Sequence, residues 1–507
     1  MHRWHSSHPN PLTRSLRQVA RFSTARAATA QAGIKLDLRH GQTWSPQATV
    51  FQPSPEVLVG QQQPYWHTIP KWQHVTNDQF LSHKWQMANT VQSEKVLYEF
   101  LQTVLPEAIP PQGDMAPHLR ITDIHSPQDF IKRLQEGIQR APMAVRLSPH
   151  VLSSINWQDP INDPIRRQFI PLSSPLNVDH PAAEFDPLKE NTYSPVSGLI
   201  HRYPDRALFL ATSICPVYCR FCFRSYTVGA ETESVKKQRF LPIMKKWEPR
   251  FQYIEHTLTL KDILISGGDT YLLEPEQLHY IGERLLDIPH IRRFRFASKG
   301  LSVSPSRLLD PNDQWVDVVI GLEKKARRMG KHVCIHTHFN SVNEISWITR
   351  LGAQRLYEAG VTVRNQTVLL NGVNNTPEKM FALVHALGDI NIQPYYVYQG
   401  DIIPGAEDLR TPMKDSLDLE RAVRGQITGF LMPNFILDLP AEGGKRLTRG
   451  VQDYNHHLGL SKFSAPGLKG EPTTMEYWDP LWSLSEQGRA DVLRTFRLKK
   501  DTAADAD

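Results

Sequence analysis

Cysteine is scarce in this chain: four in 507 residues, too few for a disulfide framework. Three of the four stand together, which suits a reducing compartment where thiols stay free to bind metal. Long apolar runs are lacking too. No stretch of about 18 or more apolar residues occurs, so no membrane span is predicted. Charge of one sign is not concentrated either. A net charge of +6 is modest for this length and is not the basic stripe of a nucleic-acid binder. What the chain does have is 40% hydrophobic against 22% charged residues, enough for a sizeable core. Its length admits several domains, or one large α/β barrel with extensions.

One further absence is local. Residues 1–36 hold Arg3, Arg14, Arg17, Arg21, Arg26 and Lys35, and the first acid is Asp37. With the Ser, Thr and Ala of RSLRQVARFSTARAATAQ, this is the composition of a mitochondrial transit peptide: basic, acid-free and able to form an amphipathic helix. The expected location is therefore the mitochondrial matrix, with the cytoplasm as the alternative if the segment is a plain disordered basic tail.

Residues 37–195 read as a mainly helical N-terminal region. It opens with extended Pro- and Gln-rich chain to about residue 70, and later stretches such as NDQFLSHKWQMANTVQSEKVLYEFLQ have helical spacing. From Ala207 the pattern changes. Short β-branched or aromatic runs recur at 207–213, 262–269, 291–298, 332–339, 361–370, 392–399 and 434–440, with amphipathic stretches such as EQLHYIGERLLDI and PEKMFALVHALGDI between them. Such alternation implies parallel β/α units. Polar residues follow nearly every run, including Cys215, Gly267 to Asp269, His336 to Asn340, Asp401 and Asp438. That edge is where parallel α/β folds bind ligands, and its use after so many strands favours a partial barrel over a doubly wound sheet. Residues 450–507 read as a C-terminal extension with a few strand-like pieces and a disordered end, KKDTAADAD.

The three clustered cysteines lie in CPVYCRFCFR, as Cys215, Cys219 and Cys222. Structural zinc usually takes four protein ligands. The fourth cysteine, Cys334, sits in the apolar run HVCIH and reads as a core residue. Three thiolates after a strand suit a [4Fe–4S] cluster with one iron left open, with zinc as the other reading.

The spacing C-x3-C-x2-C after the first barrel strand resembles the signature of the radical S-adenosylmethionine (SAM) enzymes. ISGGD at 265–269 resembles the motif that holds the SAM amino group. More specifically, from about Trp85 to about Gly450 the chain resembles the lysine 2,3-aminomutase family. The blocks that carry this are WQDPINDPIRRQ, SPVSGLIHRYPDR, CPVYCRFCFR, ISGGD, THFN, RNQTVLLNGVN, PYYVYQGD, LRTP and DLPAEGGK. The resemblance implies an α/β fold, a partial TIM-like (β/α) barrel of the radical SAM type spanning 196–449. It also implies an isomerase that moves the amino group of L-lysine from the α- to the β-carbon while the lysine is joined to pyridoxal phosphate. Another amino acid, or protein-bound lysine, is the alternative substrate.

Residue by residue, the resemblance implies Cys215, Cys219 and Cys222 for the cluster and Gly267, Gly268 and Asp269 for SAM, with His338 also directed to SAM. Lys445 would form the Schiff base with pyridoxal phosphate. Arg202 and Arg206 would hold its phosphate, with Tyr203 against the cofactor and Asn365 and Gln366 as further polar contacts. Arg224 would anchor the substrate carboxylate, and Asp401 with Asp438 the side-chain ammonium. Those two acids favour lysine over glutamate. The chain has no cysteine beyond Cys334, so the zinc site at the family's subunit interface is absent; a homo-oligomer stays open, but the resemblance does not carry over the family's oligomeric state. The segment 231–262 looks extended and carries a Lys/Arg cluster. It reads either as a solvated face or as a surface for an acidic electron donor such as a ferredoxin or flavodoxin.

Overall fold

All seven β-branched runs form strands. In a computed structural model of the chain the described residues are 64–113, 119–465, 467–468, 470 and 472–504, within one unit, Phe51–Asp507. The segment 1–36 lies outside the described residues. The seven expected strands are β2 (Arg206–Thr212), β3 (Asp262–Gly267), β4 (Arg293–Ala297), β5 (His332–Thr337), β6 (Thr362–Val368), β7 (Gln393–Tyr398) and β8 (Asn434–Leu439). They pair in parallel in sequence order. Two strands were not expected. β1 (Leu199–Tyr203) runs antiparallel beside β2, and β9 (Gly444–Leu447) runs antiparallel beside β8. The nine-stranded sheet is thus a partial barrel with an antiparallel strand at each edge.

Its strands read as apolar runs because helices cover the outer face. Helices Met244–His256, Pro275–Asp287, Trp315–Arg328, Trp347–Glu358 and Pro377–Asp389 fill the intervals. Two of them begin with Pro at the first position, where its missing N–H is harmless, and Thr376 caps the second by accepting from Lys379 N. Trp247, Phe251, Trp315 and Leu322 on these helices meet Phe209, Ile263 and Phe296 of the strands in one fully buried core.

The N-terminal region is helical, with Asn77–Leu81, Glu94–Val104 and Pro127–Arg140 among its helices. The end of the Pro/Gln-rich stretch differs from the extended chain expected there. It forms 3-10 turns at Tyr65–Thr68 and Pro70–Trp72, which bury Trp66 and Trp72. This region has its own core, and Val217 of the cysteine loop packs into it with Val303 and Ile348. Tyr218 N donates to Arg146 O at 3.2 Å, and Arg220 N donates to Gln168 O at 3.0 Å. The helical region therefore holds the cysteine loop over the C-terminal edge of the sheet. Beyond residue 449, β10 (Asp453–Asn455), β11 (Leu460–Ala465) and β12 (Thr473–Trp478) form a small antiparallel sheet. The helix Glu486–Ala504 carries regular structure into the end whose composition reads as disordered. No helix among the described residues is long and apolar enough to cross a membrane.

Candidate active site

The strand ends enclose a cavity of about 360 Å³. Its lining includes Cys215, Cys219 and Cys222 from the loop after β2 and Lys445 from β9. All three thiols are hard to ionise as they stand. Burial pushes Cys215 well up, and Asp269 and the neighbouring cysteines add to it. Burial takes Cys219 to about 12, with Lys299 opposing and Cys222 reinforcing the rise. Cys222 is raised chiefly by burial. Three half-buried thiols each disfavoured as thiolates gain most from a cationic metal centre. Among the described residues no three His, Cys, Asp or Glu side chains are gathered tightly enough for a single ion.

The glycines of ISGGD serve the protein before any ligand. Gly267 has φ of +107°, and a Cβ there would lie 2.3 Å from Thr212 O. A Cβ on Gly268 would lie 2.5 Å from Ile214 O. Their absence lets the end of β3 close on the cysteine loop, where Gly268 N donates to Thr212 O at 2.6 Å and Asp269 N to Ile214 O at 2.9 Å. Gly267 does not line the cavity; Gly268 and Asp269 do. The Asp269 carboxylate accepts from Tyr271 N at 2.8 Å and Lys299 N at 2.7 Å, and burial lifts its pKa to about 6. His338 also lines the cavity, kept neutral by burial and by Lys299.

Around Lys445 the cavity is lined by Arg202, Tyr203, Arg206 and Asp438. Lys445 Nζ bonds the Asp438 carboxylate directly across the β8–β9 pair and sits 5.2 Å from the Tyr398 ring centre. Burial works against the Lys445 charge, but Asp438 outweighs it and holds the ammonium above the ordinary lysine range. Burial would likewise raise Asp438, yet Lys445 and Arg202 together hold it low. Arg202 also lines the cavity, with its fork engaged by the protein. Its fork donates Nη1 to Asp438 Oδ1 at 3.0 Å, Nη2 to Leu439 O and Nε to Ala441 O. It thereby fixes the β8–β9 turn, in which Ala441 has φ of +46°. Arg206 is differently placed. It makes no ion pair among the described residues, and its guanidinium lies 3.8 Å from the centre of the Tyr203 ring. The Tyr203 hydroxyl is buried without a partner among the described residues. A free fork and an orphan hydroxyl beside Lys445 are what a phosphorylated aldehyde cofactor would take up.

The remaining assignments divide. Asp401 faces the cavity, with no hydrogen bond or ion pair from its carboxyl among the described residues. Burial, with Asp438 adding to it, raises it to about 7. Arg224 also lines the cavity, but its Nε and Nη2 are held at 2.8 Å by the two oxygens of Glu190. That leaves Nη1, whose protein contact is Ser266 Oγ at 3.3 Å. Gln366 lines the cavity and bonds His336 at 2.8 Å. Asn365 does not reach it. Its amide accepts from Phe339 N at 2.6 Å and donates to Phe339 O at 3.1 Å, locking the end of β5 to β6.

Two residues escaped the motif reading. Glu190 sits in a turn-rich segment where nothing marks it as the partner of Arg224. Lys299, which donates to His338 O at 2.9 Å and pairs with Glu344 at 3.3 Å, follows β4. The rule that polar residues after strands line the site applies to it equally.

A partial parallel barrel with a C-x3-C-x2-C loop after its first parallel strand and a glycine-cradled acid after the second defines a radical SAM enzyme. No family model matches the chain. It is 38% identical over 316 residues to the L-lysine 2,3-aminomutase of Clostridium subterminale, covering 62% of this chain and 71% of that one. It is 34% identical over 376 residues to that of Acetoanaerobium sticklandii, covering 73% and 79%. It is also 31% identical over 331 residues to the glutamate 2,3-aminomutase of Clostridioides difficile, covering 64% and 74%. The solved structure of SuiB from Streptococcus suis bound to S-adenosylmethionine aligns with a TM-score of 0.34 at 15% identity, over 46% of this chain and 51% of that one. The chain belongs to the lysine 2,3-aminomutase family.

Proposed function

We propose that the protein isomerises L-lysine to β-lysine in this cavity. The observation that carries the reading is Asp401: a half-buried carboxyl, unpartnered among the described residues, in the cavity that also holds Lys445 and the three cysteines. A cationic side chain fits it, whereas a carboxylate side chain would meet two acids.

Cys215, Cys219 and Cys222 would hold a [4Fe–4S] cluster with one iron open to SAM, with Gly268, Asp269 and His338 taking the rest of SAM. Arg206, Tyr203 and Lys445 would hold pyridoxal phosphate. When bound, the reduced cluster and SAM supply a carbon-centred radical that takes hydrogen from an unactivated C–H bond, and pyridoxal phosphate supplies the carbonyl that carries the migrating nitrogen. The chain's own residues bind and orient. Arg224 offers Nη1 to the substrate carboxylate, and Glu190 fixes the direction of that fork. Asp401 accepts the side-chain ammonium. Asp438 keeps the Lys445 amine charged while it is free and adds negative charge beside Asp401. Buried walls exclude water from a radical that would otherwise react indiscriminately.

The test is anaerobic reconstitution with iron, sulfide and pyridoxal phosphate, then SAM, a reductant and a panel of amino acids. Formation of β-lysine is expected. Isomerisation of another amino acid with lysine returned unchanged would overturn the roles of Asp401 and Asp438. A pH effect follows from Asp401. Only its carboxylate form attracts an ammonium, so kcat/KM for lysine should fall as pH drops below about 7. Asp401→Asn should flatten that limb and lower kcat/KM by roughly 10- to 150-fold, the equivalent of one charged hydrogen bond of about 1.5–3 kcal/mol.

The basic, acid-free segment 1–36 supports import into the mitochondrial matrix. Fusing residues 1–36 to a fluorescent reporter tests this, and a diffuse cytoplasmic signal would refute it.

A further inference from the structure

The radical reading needs an electron from outside the chain. Three cysteines belong to the cluster loop, and the fourth, Cys334, is 1% exposed within β5, so the protein has no thiols for a second redox centre. A donor has to approach where the cluster loop comes to the surface. That place is marked by Ile214, immediately before Cys215 and 42% exposed. The segment 229–246 lies alongside. Gly229 N donates to Ser213 O at 2.9 Å, and Phe240 N donates to Ser213 Oγ at 2.8 Å. Its buried anchors are Val235, Lys237 and Phe240, and Lys237 is tied to Pro142 O and Ser225 O. Three apolar side chains nevertheless point out: Leu241, Ile243 and Met244 are 45%, 44% and 43% exposed.

Four exposed cations, Lys236, Arg239, Lys245 and Lys246, flank these side chains in the sequence, against two exposed acids, Glu231 and Glu233. Arg239 lies close enough to Tyr218, between Cys215 and Cys219, for its charge to act on that phenol. Arg146 lies over the same ring at 6.0 Å.

We propose that Ile214 and the segment 229–246 form the docking surface for an acidic one-electron carrier protein, an inference that rests on the radical reading above. An apolar centre with a cationic rim matches a partner with an apolar centre and an acidic rim. The small patch suits the brief, small contacts typical of electron-transfer pairs. The event is the passage of one electron: the carrier is oxidised by one electron, the cluster is reduced by one, and no proton or group moves.

The test uses the full chain reconstituted with cluster and pyridoxal phosphate, with a bacterial flavodoxin as probe. Two quantities are read: the dissociation constant for flavodoxin, and the rate at which reduced flavodoxin or dithionite bleaches the cluster. Substitution of Lys236, Arg239, Lys245 and Lys246 by Glu is expected to weaken flavodoxin binding about tenfold or more and slow its reduction of the cluster in proportion. Dithionite, which needs no docking surface, should reduce wild type and variant equally fast. A second variant, Leu241→Ser with Met244→Ser, should weaken binding with less dependence on salt. Unchanged flavodoxin binding overturns the proposal. So does an equal slowing with dithionite, which would make these residues supports of the cluster itself. Loss of binding to phosphatidylserine vesicles with flavodoxin unaffected would also overturn it, in favour of a membrane surface. If dithionite reduces the cluster and SAM is still not cleaved, the radical reading fails instead.

Discussion

Lys445→Ala is expected to abolish β-lysine formation, a loss on the order of 10⁴-fold or more, while the iron–sulfur absorbance stays intact. The two halves of this expectation come from different parts of the molecule. Lys445 is the amine within the cavity beside the Arg206 fork and the Tyr203 hydroxyl, both unpaired among the described residues. Alanine removes the nucleophile, so pyridoxal phosphate should wash out on gel filtration and its lysine-bound visible absorbance should vanish. The fold should tolerate the change, because Arg202 still neutralises Asp438 and still bonds Leu439 O and Ala441 O. The cysteine loop is held elsewhere, by Arg146 O, by Gln168 O and by the ion pair of Arg220 with Asp408. Loss of the cluster in this variant would show that Lys445 is a structural counter-ion and not the cofactor lysine.

Asp438→Asn is the second large effect, and it should be felt in stability as well as in rate. The Asp438 side chain is 8% exposed and carries the charge that balances both Arg202 and Lys445. The amide keeps the shape but leaves the buried Arg202 and the half-buried Lys445 without their shared counter-charge, a penalty of about 3 kcal/mol. The urea midpoint should fall accordingly, and lysine turnover should drop by roughly 10³-fold as Lys445 loses both its counter-charge and its position. The discriminating control is Asp401→Asn. The pKa of Asp401 rises on folding from 3.8 to about 7, so its ionisation costs stability progressively as pH rises through that interval. The amide removes this cost, and at pH 8 the variant should unfold at the same or a higher urea concentration than wild type. Two neighbouring acids thus give opposite stability results. If both variants are destabilised alike, Asp401 has a partner in the folded protein.

The parallel strands were legible because strands covered on both faces must be apolar throughout, and such runs stand out against amphipathic helices. The edge strands were not. LIHRY and GKRL are short and polar, and GKRL becomes a strand only through a turn that places Ala441 and Gly444 at positive φ. The site was legible where chemistry requires a residue type at a fixed spacing, as with the three cysteines and the GGD turn. It was not legible where a long side chain chooses between targets. Arg202 reads as a phosphate cation, yet its partners lie 236 to 239 residues away on another turn. The Asn365 side chain is spent on Phe339, and the fork of Arg224 on Glu190. Spacing shows that a cation or an amide reaches a region; only packing decides what it finds there.

The two edge strands carry one more consequence. No backbone ladder joins β1 to β9; among the described residues the Arg202 fork ties β1 to the end of β8 and to the turn that leads into β9. Opening the molecule there breaks a handful of side-chain bonds, whereas opening it between any two parallel strands breaks a whole ladder. Lys445 stands on β9. As an edge strand β9 is held by one ladder only, to β8, so its amide hydrogens should exchange ahead of those of the central strands, which are laddered on both sides.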